Sequence, residues 1–298
     1  MLKNRALTYI ITVYVLTALY SLLYLKFPMT VKGTAISPGF FITMGYMLLP
    51  LIASLILQLG VYKEPLREIK LVFKWSNWYI VAGLLPFAGV ALSFVVSLLI
   101  PGVTFSPDMS GFLDRMSKAM PPEQFEKALE QFKPLMNYML LITIGQALVA
   151  GFTINALFAF GEEMGWRGFF LSALSGKNFY VSSVIIGLVW GFWHAPVILQ
   201  GHNYPDHPLM GVFMMTVFTI LLSPFLSYVV LKSGSVLAAA FMHGVVNACG
   251  GISIMYIRGG DDLTVGMTGA SGLIALLILN VLLYLYDRFL AKERIINI

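Results

Sequence analysis

WSNWYIVAGLLPFAGVALSFVVSLLIPGVTFSP, residues 75–107, runs for 33 residues without an Asp, Glu, Lys or Arg. A helix crosses the hydrocarbon core of a bilayer with about 20 apolar residues, so this stretch is long enough to span. Seven further runs share the property: 6–25, 33–62, 134–161, 178–205, 207–231, 233–257 and 263–286. The composition agrees, with 58% hydrophobic and 11% charged residues in a chain of 298 and a mean hydropathy of +0.83; a soluble domain carries about a quarter charged. A lipid-embedded β-barrel would need segments of strict apolar/polar alternation, whereas these runs are apolar on every side. The expected fold is all-α: one integral membrane domain over residues 1–298, a polytopic bundle of eight transmembrane helices.

Eight spans place both termini on one side of the membrane. Of the 19 basic residues, 12 (Lys3, Arg5, Lys63, Arg67, Lys70, Lys74, Arg167, Lys177, Lys232, Arg288, Lys292 and Arg294) fall on that side. Four of the other seven, Arg115, Lys118, Lys127 and Lys133, alternate with acidic residues in one loop. Basic residues accumulate on the cytoplasmic side, so both termini are expected in the cytoplasm. The net charge of +5 follows from this bias and gives no sign of nucleic-acid binding. The first run follows Lys3 and Arg5 as a signal peptide would, but its apolar core is too long and Lys26-Phe27-Pro28 offers no small-residue cleavage site. It reads as a retained helix. The single cysteine, Cys249, cannot form an internal disulfide and lies in an apolar run as a small hydrophobe.

Residues 101–134 interrupt the pattern. Pro101-Gly102 opens the segment, Pro121-Pro122 marks a helix start, and Phe125, Leu129 and Phe132 recur at helical spacing between charges. An amphipathic interfacial helix is expected there.

Ionisable side chains inside apolar spans are costly and mark functional sites by default. Three clusters qualify: Glu162-Glu163-Met164-Gly165-Trp166-Arg167 at the close of the fourth run, His194 in the fifth, and His243 with Asn247 in the seventh. Residues four apart share a helix face, so Glu163 can pair with Arg167 while Glu162, about 100° away, is left without an assigned partner. His243 and Asn247 face the same way by the same rule. Each cluster alone also fits a plain ion pair or an interhelical hydrogen bond. Together they supply a hydrolytic site: peptide hydrolysis needs an activated water, a base for its proton and donors for the oxyanion.

Glu162-Glu163-x-x-x-Arg167, then Trp190-x-x-x-His194, then His243-x-x-x-Asn247, each on its own run, resembles the CAAX protease and bacteriocin-processing enzyme family (CPBP, or Abi), which includes the type II CAAX prenyl endopeptidases that convert Ras. The second motif usually starts with Phe; here the position is Trp190. The resemblance implies an intramembrane endopeptidase whose catalytic core covers 135–250 and whose conical cavity faces the cytoplasm. It implies that Glu162 and His194 activate water, that His243 and Asn247 form the oxyanion hole, and that Glu163, Arg167 and Trp190 order the site. One divalent metal, Zn²⁺, is left open, with Glu162, His194 and His243 as its ligand set; the helix-borne H-E-x-x-H motif is absent. The implied partners are the lipid bilayer and a membrane-associated peptide or protein, lipidated or not, in a bacterial or archaeal cell membrane.

Competing readings are weaker. Gly269-Ala270-Ser271-Gly272 fits the G-x-S-G of rhomboid-like serine proteases, but no histidine follows Ser271. Arg258-Gly259-Gly260-Asp261 lacks the first glycine of the aspartyl G-x-G-D. No interrupted-helix repeat suggests a transporter. A non-catalytic protein of the same fold, acting in bacteriocin immunity or as a scaffold, is the alternative. His202 and His207 are expected to be solvated loop residues outside the site.

Overall fold

The computed structural model describes residues 4–27 and 38–296. Lys3, Pro28 and Lys32, which enter the charge count or the cleavage-site reading, lie outside the described residues. In chain order the elements are α1 (Arg5–Ser21), α2 (Leu23–Lys26), α3 (Pro38–Tyr46), α4 (Leu49–Leu55) and α5 (Trp78–Ser97); then β1 (Thr104–Phe105), α6 (Ser110–Ala119), α7 (Pro122–Phe132), α8 (Met139–Phe152), α9 (Ile154–Glu163) and α10 (Leu171–Ala173); then α11 (Phe179–Trp193), α12 (Ala195–Ile198), α13 (Pro208–Ser233), α14 (Val236–Cys249), β2 (Ile257–Arg258) and α15 (Ala270–Phe289). A π-helical turn over Ile56–Val61 extends α4, and a second, Met164–Phe170, joins α9 to α10.

Among the described residues, seven helical stretches are long and apolar enough to cross a membrane: Arg5–Lys26, Phe41–Val61, Trp78–Ser97, Pro122–Phe152, Pro208–Ser233, Val236–Ile254 and Ala270–Phe289. The protein is a polytopic helical membrane protein. Two of the eight expected spans differ in detail. The run 178–205 holds only the 15-residue α11 and the single turn α12. Pro196, without an N–H and crowding the carbonyl four residues back, ends the ladder, and His194 N bonds the closer Gly191 O instead. The fourth run does not stop at Glu162. A 3₁₀ turn over Lys133–Tyr138 fuses α7 to α8, and the chain breaks at Thr153 (φ −120°, ψ −98°). It resumes through α9, the π turn and α10 as far as Ala173. The glutamates therefore lie inside a helical run and not at its end, and Arg167, counted above as a surface cation, is fully buried.

Contacts sort the loops onto two faces. On one, Arg5 bridges Glu64 at 2.6 Å, and Val236 N bonds Lys70 O at 3.0 Å. The chain end is tied to the same face, where Ile296 packs on Phe179 and Tyr228. Asp287 there accepts from the Tyr228 hydroxyl and from the backbone N–H groups of Ile295 and Ile296. On the other face β1 and β2 pair antiparallel, Thr104 opposite Arg258 and Phe105 opposite Ile257. Arg115 on α6 donates to Ile257 O at 2.7 Å and Gly259 O at 2.6 Å. This clamps the loop segment to the end of α14.

The amphipathic segment is two helices, α6 and α7, where one was expected. Along α7, Phe125, Leu129 and Phe132 are half-buried and the charges exposed, with Phe132 packed on Met109, Met139 and Met255. His207 is not a free solvated side chain: its Nδ1 lies 2.6 Å from Asp262 Oδ1, and this carboxylate holds it above the ordinary imidazole range. His202 is only partly exposed.

Ser175 and Asn203, both exposed, fall on opposite faces. Single cysteines at these positions in a Cys249→Ala background should react with an impermeant maleimide from opposite sides of the membrane. Labelling of both from one side would refute the arrangement.

Candidate active site

Small residues bring the motif-bearing helices together. A Cβ on Gly244 of α14 would meet Gly151 O at 2.3 Å and Ala156 N at 2.7 Å, so α14 rests backbone to backbone on the α8–α9 break. Asn155 Nδ2 bonds Gly244 O across the same contact at 3.4 Å. On α11, a Cβ on Gly187 or Gly191 would lie 2.4 Å from the Cα of Ile220 or Thr216 of α13. Close approach through small residues is how helices associate where lipid removes the hydrophobic driving force.

Glu163 and Arg167 meet inside this packing, both fully buried, with Arg167 Nη1 donating to Glu163 Oε1 at 3.0 Å. The same oxygen lies 2.8 Å from Nδ1 of His243 on α14. Arg167 Nη2 donates to Ser223 Oγ on α13 at 2.9 Å, and its guanidinium carbon sits 4.5 Å from the centroid of the Trp190 ring on α11. One ion pair thus ties α9 and the π turn to α11, α13 and α14. The π turn carries the guanidinium, and such turns are frequent at functional sites.

Glu162 is 2% exposed and is not without a partner. Trp190 Nε1 donates to its Oε2 at 2.7 Å, giving the indole a hydrogen-bonding role beyond the aromatic packing read from the motif. The Trp190 ring also lies 5.2 Å from that of His243 and 5.6 Å from that of His194. His194, half-buried, has Nδ1 2.9 Å from Trp190 O. A carbonyl only accepts, so Nδ1 carries the proton and Nε2 of the neutral ring keeps its lone pair. His243 is 4% exposed; its Nδ1–H donates to Glu163, and Nε2 is the ring atom left for a substrate. Asn247, one turn further along α14, is exposed. His194 and Asn247 lie at the ends of α11 and α14 that point away from the face holding the chain ends.

The structure therefore gathers Glu162, Glu163, Arg167, Trp190 and His243 into one hydrogen-bonded, ring-stacked cluster, with His194 against Trp190 and Asn247 on the exposed flank. One participant lies outside the sequence motifs: Ser223, one hydroxyl among many in an uncharged run. Trp190, expected to order the site, does so through its indole N–H as well as its ring. Among the described residues, no three His, Cys, Asp or Glu side chains are grouped closely enough to hold a metal ion. Glu162, His194 and His243 do not form such a group. Ser271 is buried in a serine ladder, accepting from Ser97 Oγ at 2.9 Å and donating to Gly266 O at 3.2 Å.

Residues 141–249 match the family model of type II CAAX prenyl endopeptidase Rce1-like proteins, the segment that contains all three motifs. The chain is also 34% identical over 44 residues to CAAX prenyl protease 2 of Methanococcus maripaludis, an alignment covering 14% of this chain and 16% of that relative.

The two carboxylates should respond differently to amidation. Glu163→Gln leaves the Arg167 charge buried and unpaired, a loss of about 3–5 kcal/mol. Glu162→Gln keeps a carbonyl for the Trp190 indole and should cost about 1 kcal/mol or less. Thermal unfolding in detergent checks the order; Glu162→Gln as the more destabilised variant would overturn it.

Proposed function

We propose that this protein is an intramembrane endopeptidase that hydrolyses a peptide bond of a membrane-associated peptide or protein. The observation that supports it most is the pair of adjacent buried glutamates with separate duties. Glu163 Oε1 is held by Arg167 and His243, whereas Glu162 accepts, among the described residues, from the Trp190 indole alone.

In this reading a carboxylate oxygen of Glu162 removes a proton from the attacking water, and His194 Nε2, held by the bond from Nδ1 to Trp190 O, orients that water. The water oxygen adds to the scissile carbonyl. The developing oxyanion accepts from Nε2–H of His243, whose ring in this reading is protonated at both nitrogens beside Glu163, and from the Asn247 carboxamide, donors whose loss costs about 10²–10³ in rate each in other hydrolases. The C–N bond then breaks, and the proton held by Glu162 passes to the leaving amine. The family match over 141–249 and the name of the relative support a CAAX-type substrate, a C-terminal peptide carrying or lacking a lipid.

The basic bias assigns the chain ends to the cytoplasm. That assignment turns the His194 and Asn247 ends of their helices toward the opposite side. The labelling of Ser175 and Asn203 therefore also decides from which side substrate arrives, and the cytoplasm-facing cavity stands or falls with it.

Purified protein in detergent, incubated with a peptide library and read by mass spectrometry, should cut at a defined subset of bonds. Glu162→Gln should lower turnover by about 100-fold or more, the usual size of a general-base contribution. An intact library after prolonged incubation with folded wild-type protein, or undiminished cleavage by Glu162→Gln, would reject the proposal.

A further inference from the structure

Tyr9, on α1, has no part in the chemistry above and is fully buried. Its ring meets Trp166 edge-on, centroids 5.7 Å apart at 89°, and stacks on Phe169 and Phe170 at 5.3 Å each. This aromatic packing aims the hydroxyl at Gly165: a Cβ there would lie 2.2 Å from the Tyr9 oxygen. Gly165 is the residue that lets the phenol come this close to the helix.

Gly165 follows Glu162 by three residues, which puts the two on one face of the helix. Glu163 also has an unpartnered buried oxygen, Oε2, but its other oxygen is held by Arg167 and His243. The Tyr9 hydroxyl is buried without a hydrogen-bond partner and lies in the electrostatic field of Glu162 as well as Glu163 and Arg167. Neighbouring phenols are committed elsewhere, Tyr14 to Val189 O and Tyr46 to Trp193 O. A buried hydroxyl left unsatisfied is rare and calls for an explanation. Glu162 supplies one, since the bond from Trp190 occupies Oε2 alone.

We propose that Tyr9 is a positioning residue for Glu162: its hydroxyl donates a hydrogen bond to the second carboxylate oxygen, Oε1, directly or through one bound water. Trp190 from α11 and Tyr9 from α1 then fix the carboxylate from two sides, and α1 becomes part of the active site. The role in turnover rests on the reading of Glu162 as the base.

Tyr9→Phe removes the hydroxyl and keeps the stacked ring. The expected result is an unchanged KM and a kcat lowered by about 10-fold, the scale of one lost hydrogen bond to a charged group, with the thermal midpoint little altered. Infrared spectra read the contact without any turnover. The difference between wild type and Tyr9→Phe should contain a carboxyl band that vanishes when both proteins also carry Glu162→Gln. An unchanged kcat, or a band that persists without Glu162, overturns the proposal. Should wild-type protein cleave nothing, the protease reading fails, and the infrared comparison still decides whether Tyr9 engages Glu162.

Discussion

The Glu163–Arg167 pair is the constraint on which the site depends. Both side chains are fully buried in a chain made for lipid, where an isolated charge costs several kcal/mol even after relaxation. Neutralising one with the other is not enough, because a guanidinium carries five donors in a fixed fork. Part of its remaining capacity is met by Ser223 from α13 and by the face of Trp190 from α11, though its Nε and the second oxygen of Glu163 have no partner among the described residues, while His243 from α14 takes up the same glutamate oxygen as Arg167. Satisfying the ion pair thus draws the motif-bearing helices to one point, and the backbone contacts at Gly187, Gly191 and Gly244 make that approach sterically possible.

The carboxylate next in sequence is held by other means. An indole N–H donates to one oxygen of Glu162 and does not cancel its charge. Below it, the packed rings of Tyr9, Trp166, Phe169 and Phe170 close the site toward the face holding the chain ends. Above it, His194 is half-buried and Asn247 exposed. Glu163 and Arg167 are fully buried where they order the helices, and Glu162 beside them is 2% exposed.

Hydropathy made most of the architecture readable, because a run of 20 or more uncharged residues has one physical solution in a bilayer. It failed where a proline or a backbone break cut a run from within. Pro196 leaves α11 short, and the break at Thr153 lets one uncharged run serve two helices, placing Glu162 within the second. The i,i+4 rule connected Glu163 to Arg167 because both lie on one helix. It could not see the Trp190 indole on Glu162, the Ser223 hydroxyl on Arg167 or the Tyr9 phenol over Gly165, which are contacts between helices. His207 illustrates the same limit on the surface: its partner Asp262 is 55 residues away.

The central claim is that the buried pair acts as a unit that orders the site, and a double-mutant cycle tests it most directly. Glu163→Leu, Arg167→Met and the combined variant replace the charges with apolar side chains of similar size, and reversible unfolding in detergent gives the stability of each. Each single variant should lose about 3–5 kcal/mol because it strands a buried charge. The double variant should lose less than the sum by at least about 2 kcal/mol. Additive losses would show that the two charges do not depend on one another, and the account built on their pairing would be contradicted.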